Sequence, residues 1–554
     1  MKRLPLFIFS VLLPVMLHAQ TITSSVYSPL RFEQIRFPYS ETDFISTRLQ
    51  GMGYQLFNVV EDTITALFRN PAEIYSLKAP QWYVTYERPL FRSANIQVFP
   101  LGDDFGLFNT PPIMIEYSFV TPPIGSRNRS VLDDRFSRNP AITLGYWTPQ
   151  EKFLNIPIGF FVRGTIDRND SDNNRVDFDL DPVNGGEQVG LSSRSERIKD
   201  WYGQIWAGLL KSENAQVALS YSFLYHNFRD NSDFTNRDLY QFEDRFSERN
   251  RQFDTQKNLT AQRHRINLGG TFLSGNWKFQ PEISAIFFSN KGDYTGVDAD
   301  NRLQYVGSPE DSLIRNTRNI SSERFNSEIN VNGIEVDFQA DNSKTVVFAT
   351  GFLGSVPTEE SRSTRKNARD LRNTGQQSTF SEENDISFDD NGSIFRFRAG
   401  IGQRFQAVEK VKIYGAAITE YEHNNLSGSL PNRFMQENIN SGIDSSGIDI
   451  TFQDELNVSG NQFRIILPVG LEVRHRFLSA RFGMVWSYKN FSGSNTLDSE
   501  ILAQRFKNTS GEDETERAEF FGMGLRWKNV DLNISALSSI FQFSNWNVAL
   551  RYLL

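Results

Sequence analysis

The sequence predicts an all-β fold: a transmembrane antiparallel β-barrel of about 14 to 18 strands with a small N-terminal plug containing a short helix. Three observations predict it. The 554 residues include 47 Phe, 18 Tyr and 8 Trp, yet only 39% of the chain is hydrophobic. That average suits a wall in which only every second residue meets lipid. Segments of period-two alternation follow one another from about residue 140 onward. Their connections alternate between short and long, as the two rims of a membrane barrel require.

The N-terminus sets the first boundary. Lys2 and Arg3 precede an apolar run from Leu4 to Leu17, broken by Ser10 and two prolines, and Leu17-His18-Ala19 reads as a cleavage site. This is the layout of a signal peptide over residues 1–19, which implies export. No run of about 20 apolar residues follows, so crossing by helices is not expected. Residues 20–80 lack the alternation and form a separate plug segment, and residues 81–554 carry the barrel with long extracellular loops.

Composition removes several classes of function. With 0 Cys there are no disulfides, thiolate metal sites or cysteine nucleophiles. Lys+Arg 58 against Asp+Glu 66 gives a net charge of -8, and without a basic block no nucleic-acid partner is expected.

The strands are read from alternation, because neighbouring side chains on a strand point to opposite faces. Val217, Leu219, Tyr221 and Phe223 share one face; Phe395, Phe397, Ala399 and Ile401 stand opposite Arg396 and Arg398. Phe463 to Val473 and Leu478 to Trp486 repeat the pattern. Less regular segments at 82–90, 94–100 and 113–120 are candidate strands too. Short turns fall at Lys211-Ser212-Glu213-Asn214, Ser274-Gly275-Asn276, Ala340-Asp341-Asn342-Ser343 and Trp527-Lys528-Asn529. Long polar loops are expected at 167–199, 228–261, 290–326, 354–393, 423–461 and 491–515. The last strand places Trp546, Val548, Leu550, Tyr552 and Leu554 toward lipid. It resembles the C-terminal signal read by the barrel-assembly machinery, with Leu in place of the usual Phe.

Within residues 20–80, Gly51 and Gly53 allow an unusual backbone path. Asp62 is a good N-cap for a helix from Thr63 to about Phe68, and Pro71 stops that helix at Asn70. Together Gly51, Gly53, Asp62, Ala66, Asn70, Pro71 and Ala72 resemble the opening of the FadL-like family of outer-membrane barrels. The resemblance implies a plug folded into the lumen of a protein in the bacterial outer membrane. It also implies a hydrophobic small-molecule ligand, such as a fatty acid or aromatic hydrocarbon. Type IX secretion barrels share this opening, so a shuttle or scaffold that binds protein partners through its loops is an alternative, as is an open porin. Tyr54 and Glu73 stand where the family commonly has small residues and Gly.

No enzymatic role is expected. His226, His264, His423 and His475 form no HExxH or other metal spacing, and neither GxSxG nor a Walker motif occurs. Asp177, Asp179, Asp181 and Asn184 alternate with Phe178, Leu180 and Pro182 and read as a solvated acidic stretch rather than a calcium loop. Neither metal nor cofactor is expected. The candidate functional groups are lumen-facing charges: Arg396, Arg398, Arg404, Arg464, Glu472, Arg474 and Arg481. They could select anionic solutes, or pair with plug carboxylates such as Glu41, Asp43, Glu61 and Asp62. The second is preferred, because buried charges need partners.

Overall fold

The computed structural model describes residue 44, residues 46–87, 91–99, 113–120 and 141–149, and most of 156–554. Short connections at 180–185, 243–244, 307–312, 373–376, 441–442, 500–503 and 538–545 lie outside the described residues. So do the expected signal peptide and residues 20–43.

β1 (Gln81–Glu87) is followed by β2 (Phe91–Phe99), β3 (Ile113–Val120), β4 (Ala141–Thr148), β5 (Ile158–Asp179) and β6 (Gly186–Lys211). The chain continues through β7 (Ala215–Phe242), β8 (Arg245–Ser274), β9 (Trp277–Val306), β10 (Leu313–Asp341), β11 (Thr345–Arg372) and β12 (Gln377–Val408). It ends with β13 (Val411–Asn440), β14 (Ile443–His475), β15 (Leu478–Ser499), β16 (Gln504–Trp527), β17 (Val530–Leu537) and β18 (Trp546–Leu553). Sixteen strands, β1 and β4 to β18, close into one antiparallel barrel in which β1 pairs with both β18 and β4. The expected strand count therefore holds. The segments at 94–100 and 113–120 depart from expectation, since β2 and β3 pair with each other in a separate sheet.

Alternation builds the wall as expected. On β12, Phe395, Phe397, Ile401 and Phe405 are exposed on the outside, while Ile394 and Arg398 are buried toward the lumen. On β18, Leu550, Tyr552 and Leu554 face out and Asn547 and Ala549 face in. The outward apolar stretch covers about ten residues per strand, Phe395 to Phe405 on β12 and Phe463 to Val473 on β14. A tilted strand needs that length to cross hydrocarbon. Aromatic groups mark both borders of this band. Trp82, Tyr146 and Phe160 cluster at the short-turn rim. At the other border Tyr221 meets His264 (2.7 Å), and Tyr421 and His423 both meet Asn461 (2.9 Å).

Beyond that border the long loops depart from expectation. The stretches read as loops are largely continuations of the same strands. β5 to β16 have 22 to 33 residues each, and their ladders stay in register almost to the hairpin tips. They were legible as loops because alternation stops being apolar against polar once both faces are wet. Cross-strand charge pairs replace apolar contacts there. Arg249 grips Asp300 with two bonds of 2.9 Å, Arg251 grips Asp298, and Arg315 grips Asp370. The result is a polar collar rising above the apolar band.

Candidate functional site

Residues 46–80 pack against lumen-facing side chains near the short-turn rim. Ser46 caps a one-turn helix, Thr47–Gln50, by accepting from the Leu49 amide at 3.3 Å. Asp62 caps the helix Thr63–Arg69 by accepting from the Thr65 amide at 2.9 Å, as its sequence position predicts. That helix ends at Asn70, whose side-chain oxygen accepts from the Ala72 amide (2.9 Å) and so starts the 3-10 turn Pro71–Ser76. The Asn70 amide nitrogen donates to the Gly270 carbonyl of β8 at 2.8 Å. Asn70-Pro71-Ala72 is thus a stop, a cap and an anchor to the wall in three residues.

Two apolar clusters hold this segment on opposite walls. Leu49, Met52, Leu56, Phe57, Val59 and Val60 meet Val346, Phe348, Tyr414, Ile418, Ile466, Val485 and Phe520 of β11 to β16. Phe44, Ile64, Leu67 and Phe68 meet Tyr83, Trp147, Phe161, Tyr202 and Trp206 of β1 and β4 to β6. Phe68 stands edge-on to both Phe161 (4.7 Å) and Trp206 (5.0 Å), and the Trp206 indole donates to the Leu67 carbonyl at 3.0 Å.

The fit is close enough to require missing side chains. A Cβ on Gly51 would lie 2.7 Å from the Gly522 Cα, and one on Gly522 would lie 2.9 Å from the Gly51 Cα. Gly53 adopts φ 101°, a conformation that side chains disfavour. The unusual path expected at these two glycines is a backbone-to-backbone approach at one and a left-handed turn at the other.

The lumen-facing charges converge on the same segment. Glu472 is fully buried and accepts from Arg48 (2.9 and 3.2 Å), Arg474 (2.9 Å) and Arg481 (2.9 Å). Arg48 also reaches Asp62 at 3.5 Å. Burial opposes the charge of Arg48, but Glu472 and Asp62 more than offset it, so its pKa stands above the ordinary arginine value. Arg404 binds Asp341 (2.7 Å), the Val59 carbonyl and Glu61 (3.6 Å). Arg398 donates to Gln55 at 2.9 Å and, with Arg396 and Arg464, surrounds Glu420 at 3.4 to 3.8 Å. Glu61 and Asp62 are among these partners; Glu41 and Asp43 lie outside the described residues.

Glu73, one of the two residues that break the family pattern, is buried against the wall. It accepts from Gln280, Lys278 (2.5 Å) and Thr271 (3.4 Å). Sequence reasoning missed this contact and the wall glycines, since their partners lie some 200 or more positions away. Among the histidines, His264 and His423 sit on the outer face against Tyr221 and Asn461, away from the lumen. No group of carboxylates and histidines among the described residues could hold a metal ion.

No family model and no curated protein matches the chain. Similar solved structures include a mutant ferric enterobactin receptor of Pseudomonas aeruginosa in complex with enterobactin. It is 8% identical, with a TM-score of 0.24, over 86% of this chain and 81% of that one. The siderophore receptor PiuA of Acinetobacter baumannii is also 8% identical, with a TM-score of 0.24, over 86% and 82%. A likeness this slight bears on neither strand order nor ligand.

Proposed function

We propose that the chain is an outer-membrane transporter built on the plugged, FadL-like plan and that it carries a hydrophobic small molecule. The carrying observation is the fit of Gly51 to Ala72 inside the lumen, through the Gly51–Gly522 approach, the Asn70 anchor and the buried Arg48–Glu472 pair. The outward apolar band with its aromatic borders supports the membrane location. The short turns then face the periplasm, and Leu550, Tyr552 and Leu554 offer the assembly machinery its terminal strand. The aromatic wall of Tyr83, Trp147, Phe161, Tyr202 and Trp206, filled by Phe44 and Phe68, supports an apolar cargo. Such a wall offers broad aromatic stacking surface, and aromatic side chains with a few polar groups are the usual lining of a small-molecule pocket.

The test reconstitutes the full chain in liposomes and follows uptake of a fluorescent long-chain fatty acid and of an aromatic hydrocarbon. Saturable uptake by the full chain, with little ion conductance, is expected. Removing residues 44–80 should open a steady conductance. Steady conductance in the intact chain would instead make it a porin, and uptake no faster than in empty liposomes would overturn the cargo.

A further inference from the structure

Just above the apolar band, the outward face of β6 and β7 gathers positive charge. On β6, Tyr202, Gln204 and Trp206 are buried toward the lumen, while Trp201 and Ile205 are exposed on the outside. On β7, Ser220, Ser222 and Leu224 are buried toward the lumen and Tyr221 is exposed. The ladders joining β5, β6 and β7 run on without a register shift from Trp201 to Arg197. The outward face therefore continues through Lys199 and Arg197 on β6 and Arg229 on β7. Trp201 and Ile166, both exposed, end the apolar band here, and Ile166 is paired directly with Lys199.

Arg197 stands directly opposite Arg229 in the ladder and both are exposed, with Lys199 half-buried one row nearer the band. Like charges directly opposite on paired strands destabilise the pairing. Among the described residues, no side chain pairs with any of the three. Asp233, on the same face of β7, is four residues farther from the band, and Asp293 of β9 accepts from Asn258 at 2.8 Å. Other outward cations are neutralised within the wall. Lys291, in the same row as Lys199, binds Glu328 at 2.8 Å, and Arg517 binds Glu519 at 2.6 Å. Height matters as well as sign. Successive residues on one face are about 6.6 Å apart, or ~5 Å along the membrane normal at a tilt of ~40°. Lys199 and Arg197 thus stand about 5 and 10 Å beyond Trp201, and such long side chains can bend back toward the interface. Lipid headgroups fill roughly 5–8 Å beyond the hydrocarbon on each side.

We propose that Arg197, Lys199 and Arg229 bind the phosphate monoester of a lipid headgroup in the outer leaflet, with Trp201 and Ile166 against its acyl chains. A phosphate monoester carries close to two negative charges at neutral pH. It therefore matches three cations better than the single charge of a diester. A phosphate between Arg197 and Arg229 accepts from both guanidinium groups and turns their repulsion into a shared attraction. The proposal rests on the outer-membrane reading above, with the long hairpins outward. It is independent of the transported cargo, because the patch lies on the outer face and away from the plug.

The test adds lipid A, a bisphosphorylated glycolipid, to the full chain in a neutral maltoside detergent and follows retention by native mass spectrometry. Saturable retention is expected. The triple variant Arg197→Gln, Lys199→Gln, Arg229→Gln should weaken it roughly tenfold or more, since each lost charged hydrogen bond is worth about that factor. Lys291→Gln, which breaks a cation already paired on the same face, should leave retention unchanged. Dephosphorylated lipid A tests the same claim on the unaltered chain and should bind as weakly as the triple variant binds lipid A. Equal retention by the triple variant, or of the dephosphorylated lipid, would overturn the proposal. So would full competition by inorganic phosphate, which would mark a site for free anions. Insertion of the chain into zwitterionic vesicles is measured alongside. Insertion without lipid A retention would overturn this proposal alone, and failure to insert would overturn the membrane reading and the proposal with it.

Discussion

The buried centre around Glu472 yields a ranked prediction. Arg48→Ala removes the only one of its three guanidinium partners that belongs to the plug. Glu472 keeps Arg474 and Arg481 at 2.9 Å, so it is not left as an orphaned charge. The cost is that of charged hydrogen bonds, about 2 kcal/mol. A change of that size raises the population of undocked plug by roughly 30-fold. Glu472→Gln is worse. It leaves Arg481, with its side chain 5% exposed, without the Glu472 carboxylate, and Arg48, 17% exposed, with Asp62 alone at 3.5 Å, at about 3–5 kcal/mol. Undocking relieves that cost, so a hundredfold rise or more is expected. Arg474→Ala is mildest, because its side chain is 48% exposed and such a pair is worth less than about 1 kcal/mol.

The assay is the frequency of single-channel openings in planar bilayers, expressed as a ratio to the unaltered chain. A ratio is required because the six apolar residues Leu49, Met52, Leu56, Phe57, Val59 and Val60 contribute on the order of 10 kcal/mol in gross burial. That term keeps even the variants mostly closed. Three variants with equal ratios, or Arg474→Ala with the largest, would refute the view that this centre holds the plug.

Two further outcomes follow from the same geometry. Gly522→Val places a branched side chain where even a Cβ would lie 2.9 Å from the Gly51 Cα. Overpacking of this kind costs about 1–3 kcal/mol, and faster amide exchange at residues 47–53 with the barrel ladder unchanged would report it. In the collar, the hydrogen bond from Arg315 holds the Asp370 carboxyl below its ordinary value of 3.8. A depressed carboxyl contributes its stability above the unfolded value and loses it as pH falls through the folded one. Exchange in the β10–β11 hairpin, corrected for its intrinsic pH dependence, should therefore stay constant from neutral pH to about 4 and quicken only below that; quickening between pH 7 and 5 would contradict the pairing.

Several elements were legible before any coordinates. Period-two alternation is a local property of the chain, and a strand buried on one face and lipid-facing on the other must display it. Hence the β12, β14 and β18 faces, the four quoted short turns and the strand count agree with the sequence. Asp62 and Pro71 were legible for the same reason, since a cap and a helix stop act within a few residues. The collar was not. Both of its faces are polar, so the alternation that marks a strand disappears although the backbone ladder continues. The β2–β3 pair shows the converse, where strand-like residues do not reveal which sheet receives them.

The sequence by itself thus determined an all-β chain with a capped helix in an N-terminal segment, and it nominated the lumen charges one by one. Only the tertiary structure decided what those charges meet. Glu472 gathers arginines from plug and wall, Arg398 finds Gln55, and Glu73 finds Lys278 and Gln280. The physical reason is that pairing of this kind depends on barrel closure. β18 must return to β1, and sixteen strands must set the lumen's width, before residues hundreds of positions apart can share one buried ion pair.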